Sequence, residues 1–253
     1  MISLIVCSRL DPSVTIHRRN TEKTAAGQIE YIRIDNREPR AGICNAYNRA
    51  VSMAHGEIIV FMHEDAFFME KGWDTALSKK FSESSIGLIG VAGTRYLFAE
   101  HPGWVAAGRP FIRGKVIHET RNGENFHLTV FSWDDKDSDV VAVDGLFFAI
   151  RRNLFDRIAF DEATFDGFHF YDLDICMQIR KTHRLIVTPE IIIKHQSGGS
   201  FDATWQKYAE HFLQKYSAEL PASCAEGEIP DLSKRVPFET FNLKGKVPQA
   251  TIS

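Results

Sequence analysis

The sequence predicts a single α/β domain built on a mainly parallel, mixed sheet flanked by helices. Three observations carry this expectation. Residues 2–7, 57–62 and 86–91 are short, continuously apolar runs, the pattern of strands covered on both faces. Segments of helical periodicity lie between such runs, the alternation expected of βαβ units. The chain has 253 residues, 44% of them hydrophobic, enough for one large core and too apolar for wholesale disorder.

The elements follow in order. After the strand at 2–7, residues 30–34 (EYIRI) form a second strand candidate ending at Asp35 and Asn36. Residues 42–54 read as a helix, with Ile43, Ala46, Tyr47, Ala50 and Met53 on one face and Gly56 as its stop. The strand at 57–62 (EIIVFM) runs straight into His63, Glu64 and Asp65. Residues 73–81 are helical, and 86–91 make a fourth strand. Over 95–139 glycines alternate with aromatic and charged residues and periodicity is lost. This stretch reads as an irregular insertion, loops or a hairpin, that serves as a lid or substrate wall. Order returns at 140–143, followed by Asp144, Gly145 and a strand over 146–150. A helix near 172–182 carries Ile175, Cys176 and Ile179 on its apolar side, and a strand at 191–193 leads to Lys194 and His195. An amphipathic helix over 204–216 closes a domain spanning 1–216. Residues 217–253, with their prolines and glycines, are expected as an extended C-terminal tail.

The formal net charge of −3 provides no basic footprint, which argues against a nucleic-acid partner and leaves small anionic ligands open. No apolar stretch approaches the ~20 residues of a membrane helix, and Met1 leads into a strand-like run, not a signal peptide. Cys7, Cys44, Cys176 and Cys224 form no C-x-x-C pair and read as reduced thiols. Together these features predict a soluble, cytoplasmic protein.

Acidic and imidazole groups that leave the carboxyl end of a buried strand face a cleft in open α/β sheets. His63 and Asp65, two apart on an extended segment, project to one side and suit a divalent cation bound to a diphosphate. The plainer reading of Asp65 is a strand-end carboxylate capping the next helix. In the run Tyr171-Asp172-Leu173-Asp174 the carboxylates either favour a helix N-terminus or include one that serves as a general base. His195, at a strand end before Gln196-Ser197-Gly198-Gly199-Ser200, is a metal or phosphate ligand or a structural histidine.

Taken collinearly over about residues 1–205, these segments resemble the family 2-like glycosyltransferases of the GT-A fold. Residues 2–9 look like their opening strand and nucleotide loop, and Asp35-Asn36 stands where the family has an acidic pair contacting base and ribose. Residues 41–48 (AGICNAYN) and 56–61 (GEIIVF) resemble the stretch that enters the D-x-D motif, and His63-Glu64-Asp65 occupies that motif's place. Val143-Asp144-Gly145 with 147–152 resembles the acceptor-side strand. Asp172-Leu173-Asp174, Arg180, His195 and Ser200 resemble the E-D-x-D-x-x-x-R helix and the closing H-x-x-x-x-S. Two positions depart from the pattern: His63 replaces the first Asp of D-x-D, and Tyr171 replaces the Glu before the catalytic Asp.

The resemblance implies a Rossmann-like GT-A domain that moves a sugar from a nucleoside-diphosphate sugar, with UDP-sugar the expected donor, to a saccharide or other hydroxyl acceptor. It implies Ser8, Arg9, Asp35, Asn36, Asn48 and Glu64 at the nucleotide, and Mn²⁺ or Mg²⁺ on His63, Asp65 and His195. It further implies Asp172 as the base of an inverting displacement, and Asp144, Gly145, Trp104, Trp133 and Tyr171 at the acceptor. A homodimer is left open. The rival readings are a catalytically inactive nucleotide-sugar-binding or scaffold protein, and a nucleotidyltransferase. The latter is disfavoured because no glycine-rich phosphate loop follows the first strand.

Overall fold

The structure, a computed structural model, describes residues 1–9, 11–37, 41–119, 126–197, 202–225, 227, 229–231, 233 and 236–243. Gly198, Gly199 and Ser200 of the predicted glycine/serine loop, and residues 244–253 of the predicted tail, lie outside the described residues.

The first half alternates strand and helix: β1 (Ile2–Ser8), α1 (Asp11–Thr24), β2 (Ile29–Asp35), α2 (Ile43–Val51), β3 (Ile58–Met62), β4 (Ala66–Phe68), α3 (Trp73–Lys80), β5 (Ile86–Gly90) and β6 (Ala92–Thr94), of which α1, β4 and β6 are additional to the predicted elements. The stretch 95–139 holds β7 (Tyr96–Leu97), a 3₁₀ turn (Trp104–Ala107), β8 (Ile112–Glu119), β9 (Phe126–Val130) and the start of β10 (Ser138–Val140). Then come β11 (Ala142–Val143), β12 (Phe147–Arg151), α4 (Tyr171–Ile179), β13 (Arg184–Val187), β14 (Ile193–His195), α5 (Ala203–Lys215), β15 (Ala222–Ser223) and β16 (Glu239–Leu243).

Among the described residues, a seven-stranded sheet runs in the order β10-β13-β5-β12-β3-β1-β2. β1 is parallel to β2 and β3, and β13 to β5, whereas β12 is antiparallel to both β3 and β5. With β10 antiparallel to β13, three of the six pairings are parallel and three antiparallel, and five of the seven strands run in one direction. The sheet's inner strands β3, β5 and β12 are buried on both faces, which is why they are apolar nearly throughout, whereas β2 at the edge is half-buried and alternates. Ile59, Phe61, Phe148 and Ile150 face α2, α4 and α5 in one cluster. Val60, Met62, Phe147 and Ala149 face Trp73 and Leu77 of α3, together with Phe68, in another. Each such burial stabilises by roughly 1.5–3 kcal/mol before chain entropy is counted.

A second sheet, in the order β11-β6-β8-β14-β4, is built on the hairpin β8–β9. The tail adds β16 antiparallel to β9, and β15 pairs with β7. Residues 95–139 are therefore in part a regular hairpin wedged between elements of the domain.

This topology gathers chain ends on one edge. The parallel strands β1, β2 and β3 all finish there, and antiparallel β12 begins there, with Phe147 opposite Met62. The His63 amide donates to the Leu146 carbonyl at 3.1 Å, so the exit of β3 lies beside the entry to β12. The antiparallel pairing of β14 with β4 puts His195 opposite Ala66, and the Gln196 amide donates to the Asp65 carbonyl at 3.0 Å. The start of α4 is fixed by Phe170, a buried residue at φ 67° in the left-handed region, a conformation costing a non-glycine residue on the order of 1–3 kcal/mol. At the start of α2 only glycine fits: a Cβ on Gly42 would lie 2.2 Å from the Asp166 carbonyl oxygen.

Candidate active site

The edge opens into a cleft of about 790 Å³ whose lining includes His63, Glu64, Asp65, Asp144, Gly145, Tyr171, Asp172 and His195. His63, Asp65 and His195 converge, with one ligand atom from each lying within 4.8 Å of the others. His195 Nε2 is 3.4 Å from His63 Nδ1 and 3.3 Å from Asp65 Oδ1. Donors held about 2.1 Å from one ion, at right-angle to tetrahedral geometry, lie about 3.0–3.4 Å apart, and the two separations from His195 fall in that range. Two imidazoles beside one carboxylate favour a transition ion over Mg²⁺, and the order of affinity for nitrogen ligands rises from Mn²⁺ through Fe²⁺ and Co²⁺. Burial, and then the charge of His195, lower the His63 pKa to about 4, keeping that ring neutral and able to ligate. Burial pushes the Asp65 carboxyl up, but the His195 and Ser197 hydrogen bonds and the His195 charge outweigh it and hold it below the usual carboxylate range.

Asp172, in the first turn of α4, forms another wall of the same cleft. Its Oδ2 accepts from the Gly145 amide at 2.8 Å and its Oδ1 from its neighbour Leu173's amide at 2.9 Å. Burial, followed by the charge of Asp144, raises its pKa to about 7 against the pull of those amides. A carboxylate poised near neutrality and open to a cleft has the protonation behaviour of a general base. Asp174, the other acid of that turn, is fully buried and structural: it accepts from Tyr216 Oη at 2.7 Å and pairs with Lys215 at 2.5 Å, tying α4 to α5.

The predicted nucleotide residues divide. Arg9, Asn36 and Glu64 line the cleft. Ser8 is buried with its hydroxyl donating to Glu64 Oε2 at 2.7 Å, joining the exits of β1 and β3. Asp35 sits at the half-exposed end of β2, paired with Arg33 and Arg37, and the Arg37 hydrogen bonds depress its pKa to about 2. Asn48 serves the fold instead, since its amide exchanges two hydrogen bonds, of 2.9 and 3.0 Å, with the backbone of Phe160 and so pins α2 to that loop.

Of the residues predicted for an acceptor, Trp104, Asp144, Gly145 and Tyr171 line the cleft. Trp133 does not join them. It is 56% exposed beyond the end of β9, donates to Glu239 Oε2 at 3.1 Å and packs against Phe241, because the β9–β16 pairing carries it to the outer side of the hairpin. The sequence reading missed Phe168, His169 and Trp205, all of which line the cleft. Phe168 is 50% exposed although its ring lies 5.5 Å from that of His63, an open apolar face beside the triad. The signal was present in residues 165–171 (FDGFHFY), an aromatic-rich, glycine-containing loop immediately before Asp172.

Residues 13–216 match a family described as glycosyltransferase-like. No curated protein matches the chain. Among solved structures, the chain is similar to the mannosyltransferase PcManGT from Pyrobaculum calidifontis, in complex with GDP-Man and Mn²⁺. That likeness has 14% identity and TM-score 0.51, covering 86% of this chain and 63% of that one. It is also similar to GalNAc-T7 with UDP, GalNAc and Mn²⁺, at 10% identity and TM-score 0.55 over 83% of this chain and 47% of that one. TarS of S. aureus shows 11% identity and TM-score 0.51, over 89% and 40% respectively. The chain thus spans less than two thirds of each of these three proteins, and at such identities the likeness shows the GT-A fold. No helix among the described residues is long and apolar enough to cross a membrane.

Proposed function

The chain belongs to the glycosyltransferase-like family, and on that premise we propose that it moves a sugar from a nucleoside-diphosphate sugar to an acceptor hydroxyl with inversion at the anomeric carbon. The observation that carries this is the opening of the His63–Asp65–His195 triad and of Asp172, poised near neutrality, into one cleft. A divalent cation on the triad, Mn²⁺ or Mg²⁺, supplies electrostatic stabilisation to the departing diphosphate. The structural neighbours crystallised with GDP-Man, or with UDP and Mn²⁺, support a nucleotide-sugar donor, and a UDP-sugar is the first to test.

The chain's own residues do the rest. Arg9 and Asn36 face the nucleotide end of the cleft, and Glu64 braces the loop that carries Arg9 through its bond with Ser8. Asp172 takes the proton from the acceptor hydroxyl as that oxygen forms its bond to the anomeric carbon. The bond from that carbon to the diphosphate oxygen breaks, and the electron pair leaves with the nucleotide. Asp144 and the aromatic faces of Phe168, Trp104 and Trp205 orient the acceptor, since flat apolar rings suit the C–H face of a sugar. A single displacement needs one base and no second carboxylate acting as nucleophile.

The test is a screen of nucleotide sugars, scored by donor turnover and by thermal stabilisation, with Mn²⁺ and with a chelator. The proposal expects turnover and stabilisation that both require the cation. Stabilisation without turnover, for every donor and hydroxyl acceptor tried, would favour the nucleotide-sugar-binding alternative.

A further inference from the structure

We propose that Tyr171 is a positioning residue for the cation site: its hydroxyl holds His63 in the tautomer whose Nδ1 lone pair faces Asp65 and His195. This rests on the reading of that triad as metal ligands.

The argument is one of proton counting. Tyr171 Oη lies 3.0 Å from the Gly145 carbonyl oxygen and 2.8 Å from His63 Nε2. A phenol has one proton to give and a carbonyl can only accept, so for both contacts to be hydrogen bonds the phenol proton goes to Gly145. The phenol oxygen must then accept from His63, which places the imidazole hydrogen on Nε2. In a neutral ring, the form that can ligate a cation, the other nitrogen keeps its lone pair. That nitrogen is Nδ1, the atom 3.4 Å from His195 Nε2 in the triad. With the opposite tautomer, Nδ1 would carry hydrogen and the cation would lose a ligand.

The phenol has little freedom to leave this position. Tyr171 is 3% exposed, packs edge-on against Tyr47 with ring centres 5.6 Å apart, and lies against Gly145 so closely that a Cβ there would be 2.2 Å from Oη. Positions 63 and 171 are also the two at which the sequence departs from the motifs it resembles, and they are in direct contact although 108 residues apart. An aspartate at 63 offers oxygens on either side and needs no tautomer control. A histidine does, and Tyr171 provides it. The two departures are therefore one coupled replacement, in which the second restores to the first its capacity to bind metal.

Three measurements test this. In the wild-type protein, long-range ¹H–¹⁵N correlation of the His63 ring, assigned by its loss in His63→Gln, should show hydrogen on Nε2. Hydrogen on Nδ1 of the wild-type ring overturns the proposal. Mn²⁺ affinity, measured by paramagnetic resonance with and without UDP, should weaken about 10- to 100-fold in Tyr171→Phe, the range typical of removing a ligand's hydrogen-bond partner. In a His63→Asp background the same change at Tyr171 should shift Mn²⁺ affinity by no more than about twofold, because the residue through which it acts is gone. Equal affinity of wild type and Tyr171→Phe, or the same loss in both backgrounds, overturns the role of Tyr171 and leaves the cation site standing. Absence of Mn²⁺ binding by the wild type, with and without UDP, overturns the cation site and this inference with it.

Discussion

Tyr171 and Asp172, consecutive at the start of α4, grip one glycine from opposite ends: Tyr171 Oη donates to the Gly145 carbonyl at 3.0 Å, while Asp172 Oδ2 accepts from the Gly145 amide at 2.8 Å. Tyr171 also touches His63. The proposed cation ligand and the proposed base are therefore held in register by a single residue at the entry to β12. Groups that act on opposite sides of a reacting carbon need such a shared frame, because small misplacements cost large factors in rate.

The role of Asp172 is tested by Asp172→Asn. Asparagine keeps the shape and can still accept from the Gly145 amide, but it takes no proton from an acceptor. The turnover number should fall about 10²–10⁴-fold, with donor affinity nearly unchanged. Steady-state kinetics alongside donor titration separate the two quantities. A rate within a few-fold of wild type would assign Asp172 to holding the Gly145 amide against α4.

The raised pKa of Asp172 predicts opposite pH trends for rate and stability. The rate should climb as pH rises through about 7, where the carboxyl becomes a base. For stability, the folded protein holds this proton up to about 7, whereas an unfolded Asp releases it near 3.8. Between those values the native state binds more protons, so the contribution of this group to stability falls as pH rises. Asp172→Asn should flatten that slope and should not lower the melting temperature at neutral pH. Thermal melts of both proteins from pH 4 to pH 8 read the difference.

The triad predicts dependence on a removable cation. Asp65→Ala should abolish Mn²⁺-dependent binding of UDP with the fold intact, since Asp65 borders the cleft and not the core. His195→Ala should weaken the same binding less, because it removes one imidazole of two whereas Asp65 is the only carboxylate of the three. Calorimetric titration of UDP with Mn²⁺ or with chelator measures both. Unchanged Mn²⁺-dependent affinity in Asp65→Ala would falsify the assignment.

Phe168 predicts a separation of acceptor from donor. Half of its surface is exposed, so Phe168→Ala should leave the melting temperature nearly unchanged. If its ring holds the acceptor, the acceptor KM should rise about 2- to 10-fold, the equivalent of about 0.5–1.5 kcal/mol for one aromatic contact. Donor hydrolysis in the absence of acceptor should persist. Parallel losses of acceptor transfer and hydrolysis would move Phe168 to the donor side.

The parts of the fold that were legible in the sequence are those in which burial and apolarity coincide. β3 is buried throughout and reads as IIVFM, so both its place and its cleft-facing exit were visible. Helix α1 was not, because its buried face consists of Val14, His17, Thr21 and Thr24, and three of those four are polar. Hydrophobic periodicity cannot find a helix that buries hydroxyls and an imidazole. β13 offered only Leu185, Ile186 and Val187 as signal. The triad was legible because two of its members sit two residues apart and the third ends another strand. The contact between His63 and Tyr171 was not, since residues 108 positions apart meet only through the antiparallel placing of β12 between them.

The most demanding prediction concerns Gly145, which offers no functional group and yet touches both halves of the site. A Cβ added there would lie 2.2 Å from Tyr171 Oη, 2.7 Å from its Cζ and 3.1 Å from Asp172 Oδ2. The first two separations are far inside van der Waals contact. Tyr171 cannot retreat, because Tyr47 and Phe148 pack against its ring in the core behind it. Gly145→Ala must therefore push α4 away from β12 or drive Tyr171 off His63. Overpacking of this kind costs about 1–3 kcal/mol, so the melting temperature should drop. The functional loss should exceed what that drop explains. At a temperature where the variant remains folded, Mn²⁺ affinity should fall through His63 and turnover through Asp172, both from one added methyl group. Loss of turnover alone, with wild-type Mn²⁺ affinity, would show that Tyr171 yields without disturbing His63, and that the two halves of the site are mechanically independent.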